Sequence, residues 1–248
     1  IAPVLDNVTD VRNPINSQSS NYTFHSNEAG TINYGGSCIG EFPSGHANAG
    51  QRKENAAADN NTITLQRTNG SVLADGTTYS DCKISVTDNA SNTSDNLTVN
   101  TFTVDVTRPS LSYVTGGRVP TPDNDSTPDY TFTSSEAGTI SYGGACGSST
   151  SSSASSGDNT VTLTQPDNST PLNDGTYGNC TIAVTDNTSN TSDNLSVRGL
   201  DKFGNITDNF TIGTTEPVLV QITPVPTLTN DNTPNYTFFS TLPGEINY

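Results

Sequence analysis

The sequence predicts an all-β protein made of sandwich domains repeated in tandem along an extended array. Three observations carry that reading: an internal repeat of about 107 residues, alternation of apolar and polar side chains within it, and regularly spaced turn residues. The repeat is read first. Asn21-Tyr22-Thr23-Phe24 returns as Asp129-Tyr130-Thr131-Phe132 and as Asn235-Tyr236-Thr237-Phe238, at offsets of 108 and 106. Glu28-Ala29-Gly30-Thr31-Ile32-Asn33-Tyr34-Gly35-Gly36 returns as Glu136-Ala137-Gly138-Thr139-Ile140-Ser141-Tyr142-Gly143-Gly144, and Gly244-Glu245-Ile246-Asn247-Tyr248 begins a third copy. The expected units are residues 1–107, 108–215 and the first strands of an incomplete third, 216–248.

Each unit reads as β. Tyr22-Thr23-Phe24, Thr31–Tyr34, Thr62–Leu65 and Cys82–Val86 alternate with period 2, the signature of half-buried strands, and Thr fills many outward positions. Gly, Asn, Asp and Pro punctuate them at roughly 8–12-residue spacing, as turns require. No window shows a helical stripe. Seven or so short strands per unit favour an immunoglobulin-like sandwich over a barrel. The core is thin: Val, Leu, Ile and Phe make about 19% of the chain, at the border of compositions that stay disordered. The same alternation in two copies decides for folding.

Composition narrows the function. Twenty-five Asp and Glu against 9 Lys and Arg give a net charge of −16, which excludes a basic nucleic-acid surface. No apolar run reaches the ~20 residues of a membrane helix, and neither end reads as a signal peptide. The only histidines, His25 and His46, both lie in the first unit, and Thr133 replaces His25 in the second. Neither a metalloprotease helix motif, a nucleophile elbow nor a phosphate loop occurs, so no enzyme is expected. Glu28 and Glu136 read as solvated carboxylates in a Glu-Ala-Gly turn.

At this point the residues resemble a known family, the bacterial Ig-like tandem repeats of large surface adhesins and extracellular fibres. Asp75-Gly76-Thr77-Thr78-Tyr79 and Asp174-Gly175-Thr176-Tyr177 look like the turn before its penultimate strand. Val86–Ser94 and Val184–Ser192 look like its "VTDxxGN" strand end, with Ser91 and Ser189 where the family usually has Gly. Val104–Pro109 is similar to its "VDTTxP" linker, and Asp231-Asn232-Thr233-Pro234 to its "NDxTP" opening; the second linker, Gly213–Pro217, lacks the Asp. The resemblance implies a stalk or filament at a prokaryotic cell surface, often rigidified by Ca²⁺. Its partners would be neighbouring repeats and other copies in a filament, with no membrane span in this segment.

Four cysteines allow three connectivities. Cys38 and Cys146 follow Tyr-Gly-Gly, while Cys82 and Cys180 follow the Asp-Gly-Thr turn, so the repeat selects Cys38–Cys82 and Cys146–Cys180. The bridges are expected to join strands of one sheet. The competing readings are free thiols or a metal site, against which stand the absence of CxxC and the scarcity of His. Disulfides imply an oxidising, extracellular setting.

Ca²⁺ takes six to eight oxygens from carboxylates, amides and carbonyls. Between the full units the sequence offers Asp105, then Asp123-Asn124-Asp125, with Asp88 or Asp95 joining from a neighbouring strand; ordinary turn roles are the alternative. Gly213 replaces the linker Asp at the second junction, so Asp231 is expected to bind weakly or not at all, and Asn13–Ser20 carries no acid. The stretches between paired cysteines, Ile39–Asn61 and the Ser-rich Gly147–Asp158, vary most. They give the alternative function, a glycan- or surface-binding module, with Phe42 as its one aromatic; their composition equally suits an idle loop, so that swapping the first for the second should leave the fold intact. No binding residue is assigned. A second insertion lies at Arg198–Asn205. Asn-x-Ser/Thr triplets at Asn21, Asn69, Asn92, Asn168, Asn190 and Asn209 arise as composition alone would produce them.

Overall fold

The computed structural model describes residues 1–41, 54–150, 152–242 and 244–247. All regular structure among them is β. Phe42, His46, Arg52 and Lys53 of the variable loop lie outside the described residues.

In the first unit the strands are β1 (Leu5–Thr9), β2 (Ser20–Ser26), β3 (Gly30–Gly35), β4 (Cys38–Glu41), β5 (Asn55–Ala56), β6 (Asn60–Arg67), β7 (Thr78–Tyr79), β8 (Lys83–Asp88), β9 (Leu97–Thr98) and β10 (Phe102–Thr103). They form sheets of order β1-β2-β6-β4 and β5-β3-β8-β9, plus the pair β7–β10, all antiparallel. Alternation turns one row of each strand inward. Tyr22, Phe24, Ile63 and Leu65 from one sheet meet Ile32, Ile84 and Val86 from the other in a single buried cluster. The outward rows are largely threonine, paired across strands by hydroxyl hydrogen bonds such as Thr23–Thr62 at 2.9 Å and Thr87–Thr93 at 2.9 Å.

The second unit repeats this with β11 (Leu111–Tyr113), β12 (Val119–Thr121), β13 (Asp129–Ser134), β14 (Gly138–Gly143), β15 (Gly147–Ser148), β16 (Ser153–Ala154), β17 (Gly157–Thr164), β18 (Gly175–Tyr177), β19 (Thr181–Thr185), β20 (Leu195–Ser196), β21 (Gly199–Asp201), β22 (Ile206–Thr207) and β23 (Phe210–Ile212). Its core cluster runs from Val119 to Ile212 and is distinct from the first. The Arg198–Asn205 insertion becomes the hairpin β21–β22, with β21 parallel to β12. That hairpin is a further copy of the D-x-x-[S/G]-N-x-[S/T]-D-N segment at Asp88–Asn96 and Asp186–Asn194, now at Asp201–Asn209. In each copy the Asp Oδ1 accepts two backbone N–H groups while Oδ2 accepts the Asn side-chain amide. The residue before the Asn takes positive φ: 66° at Ser91, 77° at Ser189, 83° at Gly204. In the third unit β24 (Leu219–Thr223) pairs antiparallel with β25 (Thr237–Ser240).

Both disulfides are present, Cys38–Cys82 and Cys146–Cys180, with Cα–Cα distances of 5.1 and 5.2 Å. Their placement corrects the single-sheet expectation. Gly35 pairs with Lys83 at the end of β3, and Gly36 then turns the chain at φ 79° so that Cys38 starts β4 in the opposite sheet. The bridge therefore ties the two sheets together. Only glycine fits the turn, since a Cβ would lie 2.0 Å from the Asp81 carbonyl oxygen at Gly36 and 1.9 Å from that of Asn179 at Gly144.

The variable stretches are not idle. Ala56 and Asn61 are buried in the first, and Ser148 and Ala154 in the second. The Asn61 amide bonds Ala57 N–H, Ala57 C=O and Asp59 C=O. Both stretches thus contribute buried side chains, Ala154 standing opposite Gly138 as Ala56 does opposite Gly30.

Two outcomes follow. Reduction should cost each unit about 4 kcal/mol, the chain-entropy value for loops of 44 and 34 residues, read as a lower midpoint in denaturant for both units. Ser91→Gly and Ser189→Gly should each stabilise by roughly 0.5–1 kcal/mol, because glycine adopts positive φ without the Cβ clash; unchanged melting temperatures would contradict the strain argument.

Candidate functional site

The chemistry-bearing residues converge where the first unit hands over to the second. The Asp75 carboxylate of the Asp-Gly-Thr turn accepts the Val106 N–H at 2.9 Å and the Thr107 hydroxyl, fastening the outgoing linker. Asp174 does the same one unit on, accepting Thr214 N–H at 2.9 Å and the Thr214 and Thr215 hydroxyls at 2.7 and 2.6 Å. The Asp105 N–H donates to Ile15 C=O at 2.9 Å within the first unit. From the second unit, the Asn190 side-chain amide donates to Asp105 C=O at 3.0 Å, and Arg108 pairs with Asp193 at 3.3 Å.

Three carboxylates gather there. Oxygens of Asp105, Glu136 and Asp186 lie within 4.8 Å of one another. Glu136 stands in the β13–β14 turn, shaped by Ser134, whose hydroxyl donates to Glu136 C=O at 2.6 Å. Gly138 lets that turn approach β19, since a Cβ there would meet the Thr185 carbonyl oxygen at 2.4 Å. Asp186 directly follows β19 and is 8% exposed. Burial raises its pKa, but hydrogen bonds from Thr188 and Asn190 outweigh this and hold it low. Glu136 has no such compensation. Burial first, then the carboxylates of Asp105, Asp186 and Asp75, push its pKa up. At an effective dielectric of ~20, two charges 4.8 Å apart repel by on the order of 3 kcal/mol before solvent screening reduces it. An all-oxygen donor set carrying uncompensated negative charge fits a hard cation such as Ca²⁺.

Of the four residues expected to ligate, only Asp105 lies in this group. Asp123 and Asp125 are at the far end of the second unit. Asp123 N–H donates to Thr211 C=O and its C=O accepts from Gly213 N–H, both at 2.8 Å, because β12 runs parallel to β21 and leads the chain to the end of the last strand, where Asp123 bridges to Ile212. Asp88 is the first unit's counterpart of Asp186 and is bound by Ala90 and Asn92. Asp95 lies beside Pro3, Val4 and Leu5. Sequence reasoning missed Glu136 and Asp186 as partners of Asp105. A signal existed: Ser26, Ser134 and Ser240 donate in the same way to the carbonyls of Glu28, Glu136 and Leu242. The third unit thus has Leu242 for the glutamate as well as Gly213 for the linker aspartate, and loses both acids together.

Two outcomes test this electrostatics. A raised carboxyl pKa opposes folding above that pKa and ceases to oppose it as pH falls through it, so Glu136→Gln should stabilise the cation-free protein at neutral pH by up to about 1 kcal/mol. Destabilisation would contradict the crowding of charge. Asp174 behaves oppositely: its hydrogen bonds from Thr215 and Thr214 lower its pKa to about 2, so its contribution is complete above its ordinary 3.8 and lost as pH falls towards 2. The protection of the Thr214 amide, its exchange rate relative to that of an unstructured peptide at the same pH, should fall in that window.

Comparison with protein-family models and with curated proteins finds no match to this chain.

Proposed function

We propose that the chain is a segment of an extracellular stalk or filament, in which immunoglobulin-like sandwich repeats set end to end bear load and a Ca²⁺ ion stiffens the junction between the first two. The observation that carries this reading is the double attachment of the linker. Residues 105–107 are bonded to the first unit through Ile15 and Asp75, and to the second through Asn190, whose amide donates to Asp105 C=O. A linker anchored on both sides resists bending, which a flexible tether between binding modules does not require.

Asp105, Glu136 and Asp186 would hold the ion, which would supply positive charge between carboxylates that otherwise repel. The two disulfides set the stability of thin cores and suit an oxidising location. No helix among the described residues is long and apolar enough to cross a membrane. The function is mechanical, and no catalytic step is assigned.

The test is thermal unfolding with increasing Ca²⁺. An ion that binds only the folded junction stabilises by RT ln(1 + [L]/Kd), about 2.7 kcal/mol at a hundredfold excess over Kd. The parent chain should show this rise. The Asp105→Gly, Glu136→Leu double variant, which copies the second junction, should not. A parent whose melting temperature ignores Ca²⁺ would leave the ion without a role.

A further inference from the structure

The second unit carries a cluster of positive charge for which the described residues of the first have no counterpart. Arg118 precedes β12 and Arg198 precedes β21, and these strands pair in parallel with Val119 beside Gly199, so the two arginines are neighbours. Both guanidinium groups lie against one ring, that of Tyr113, at 5.2 and 4.9 Å from its centroid. All three side chains are partly exposed. Two of the 9 basic residues of a chain with net charge −16 are thus held side by side.

The equivalent positions in the first unit identify what changed. Strand pairing aligns Tyr113 with Asn7, since each stands opposite the same core phenylalanine of its unit, Phe132 or Phe24. Val119 aligns with Val11, placing Arg118 on Asp10, and the bonds from Val197 to Cys180 and from Val99 to Cys82 place Arg198 on Asn100. In the first unit these residues satisfy one another: Asn7 donates to Asp10 at 2.6 Å, and Asn100 bonds both N–H and C=O of Val11. The exchange to Tyr, Arg and Arg turns a closed neutral-to-acidic patch into a doubly cationic one.

Both Nε atoms are buried and make no hydrogen bond, so stacking and packing hold the guanidiniums in place. Among the described residues the cluster's one ion pair runs from Arg198 Nε to Asp208 at 3.4 Å, and the Asp208 side chain is 91% exposed, so solvent weakens it. Threonines surround the cluster, with Asp208 as the acid beside Arg198: Gly117 packs on Thr131, which pairs with Thr160, and Gly199 packs on Thr207 and Thr121.

We propose that Tyr113, Arg118 and Arg198 form a clamp for the carboxylate of an acidic sugar residue. Fixed guanidinium forks match the two oxygens of a carboxylate. Neighbouring threonine hydroxyls suit sugar hydroxyls better than an apolar peptide. The net charge repels a densely charged polyanion, so recognition depends on short-range hydrogen bonds at one sugar unit and has a shallow salt dependence.

The experiment follows amide and arginine side-chain NMR shifts of the whole chain while the methyl glycoside of galacturonic acid is added, with its methyl ester as the neutral control. The acid should shift Tyr113, Arg118 and Arg198 and the ester should not. Arg118→Gln and Arg198→Gln should each weaken binding about tenfold or more, the scale of a lost charge-assisted bond, whereas Arg12→Gln, which removes the same charge elsewhere, should leave it unchanged. Arg118→Lys keeps the charge and the fold while losing the fork, and should also bind more weakly. Equal response to acid and ester, or indifference to all three clamp variants, overturns the proposal. So does sedimentation showing that the clamp instead joins two copies of the chain, undisturbed by the saccharide.

Discussion

The arrangement of the two units depends on Asp105, which is bonded by both at once. Its N–H is taken by Ile15 of the first unit and its C=O by Asn190 of the second, while its carboxylate faces Glu136 and Asp186. The hydrogen bonds fix the linker but bring three negative charges together. The same residue therefore supplies the anchor and the repulsion that a cation would relieve.

That anchor would serve little purpose if the units themselves yielded. Their cores are thin: the rings of Tyr22, Phe24, Phe102 and of their counterparts Tyr130, Phe132 and Phe210 pack among aliphatic side chains such as Ile63, Leu65, Ile84 and Val161, Leu163, Ile182. Covalent and polar cross-links make up the difference. A disulfide joins the two sheets of each unit, and threonine pairs lace the outward faces. Asp75 and Asp174 each close the end of a unit by accepting hydrogen bonds from the departing linker. Aspartates that looked like ordinary turn residues thus bind the repeat boundaries.

Much of the fold was legible in the sequence because period-2 alternation reports directly on which row is buried: Tyr22, Phe24, Ile63, Leu65, Ile84 and Val86 all face the core. The cysteine pairs were legible because the repeat equates Cys38 with Cys146 and Cys82 with Cys180. The sheet each cysteine belongs to was not, since a single positive-φ glycine after β3 moves the chain across the core. The candidate site was legible only at Asp105. Spacing along the chain does not say which end of a strand faces the junction: β12 carries Asp123 away from it, and the β13–β14 turn returns Glu136 to it. Glu136 was informative through its loss in step with the linker aspartate, at Leu242 and Gly213, which one copy examined alone conceals.

The central claim is that the first two units move as one body when the junction is charge-compensated. Residual dipolar couplings measured for both units of the whole chain in saturating Ca²⁺ test it most directly. The account predicts that one alignment tensor fits residues 1–107 and 108–215 together, and that Asp105→Gly separates it into two. Two independent tensors in the parent chain with Ca²⁺ bound would contradict it.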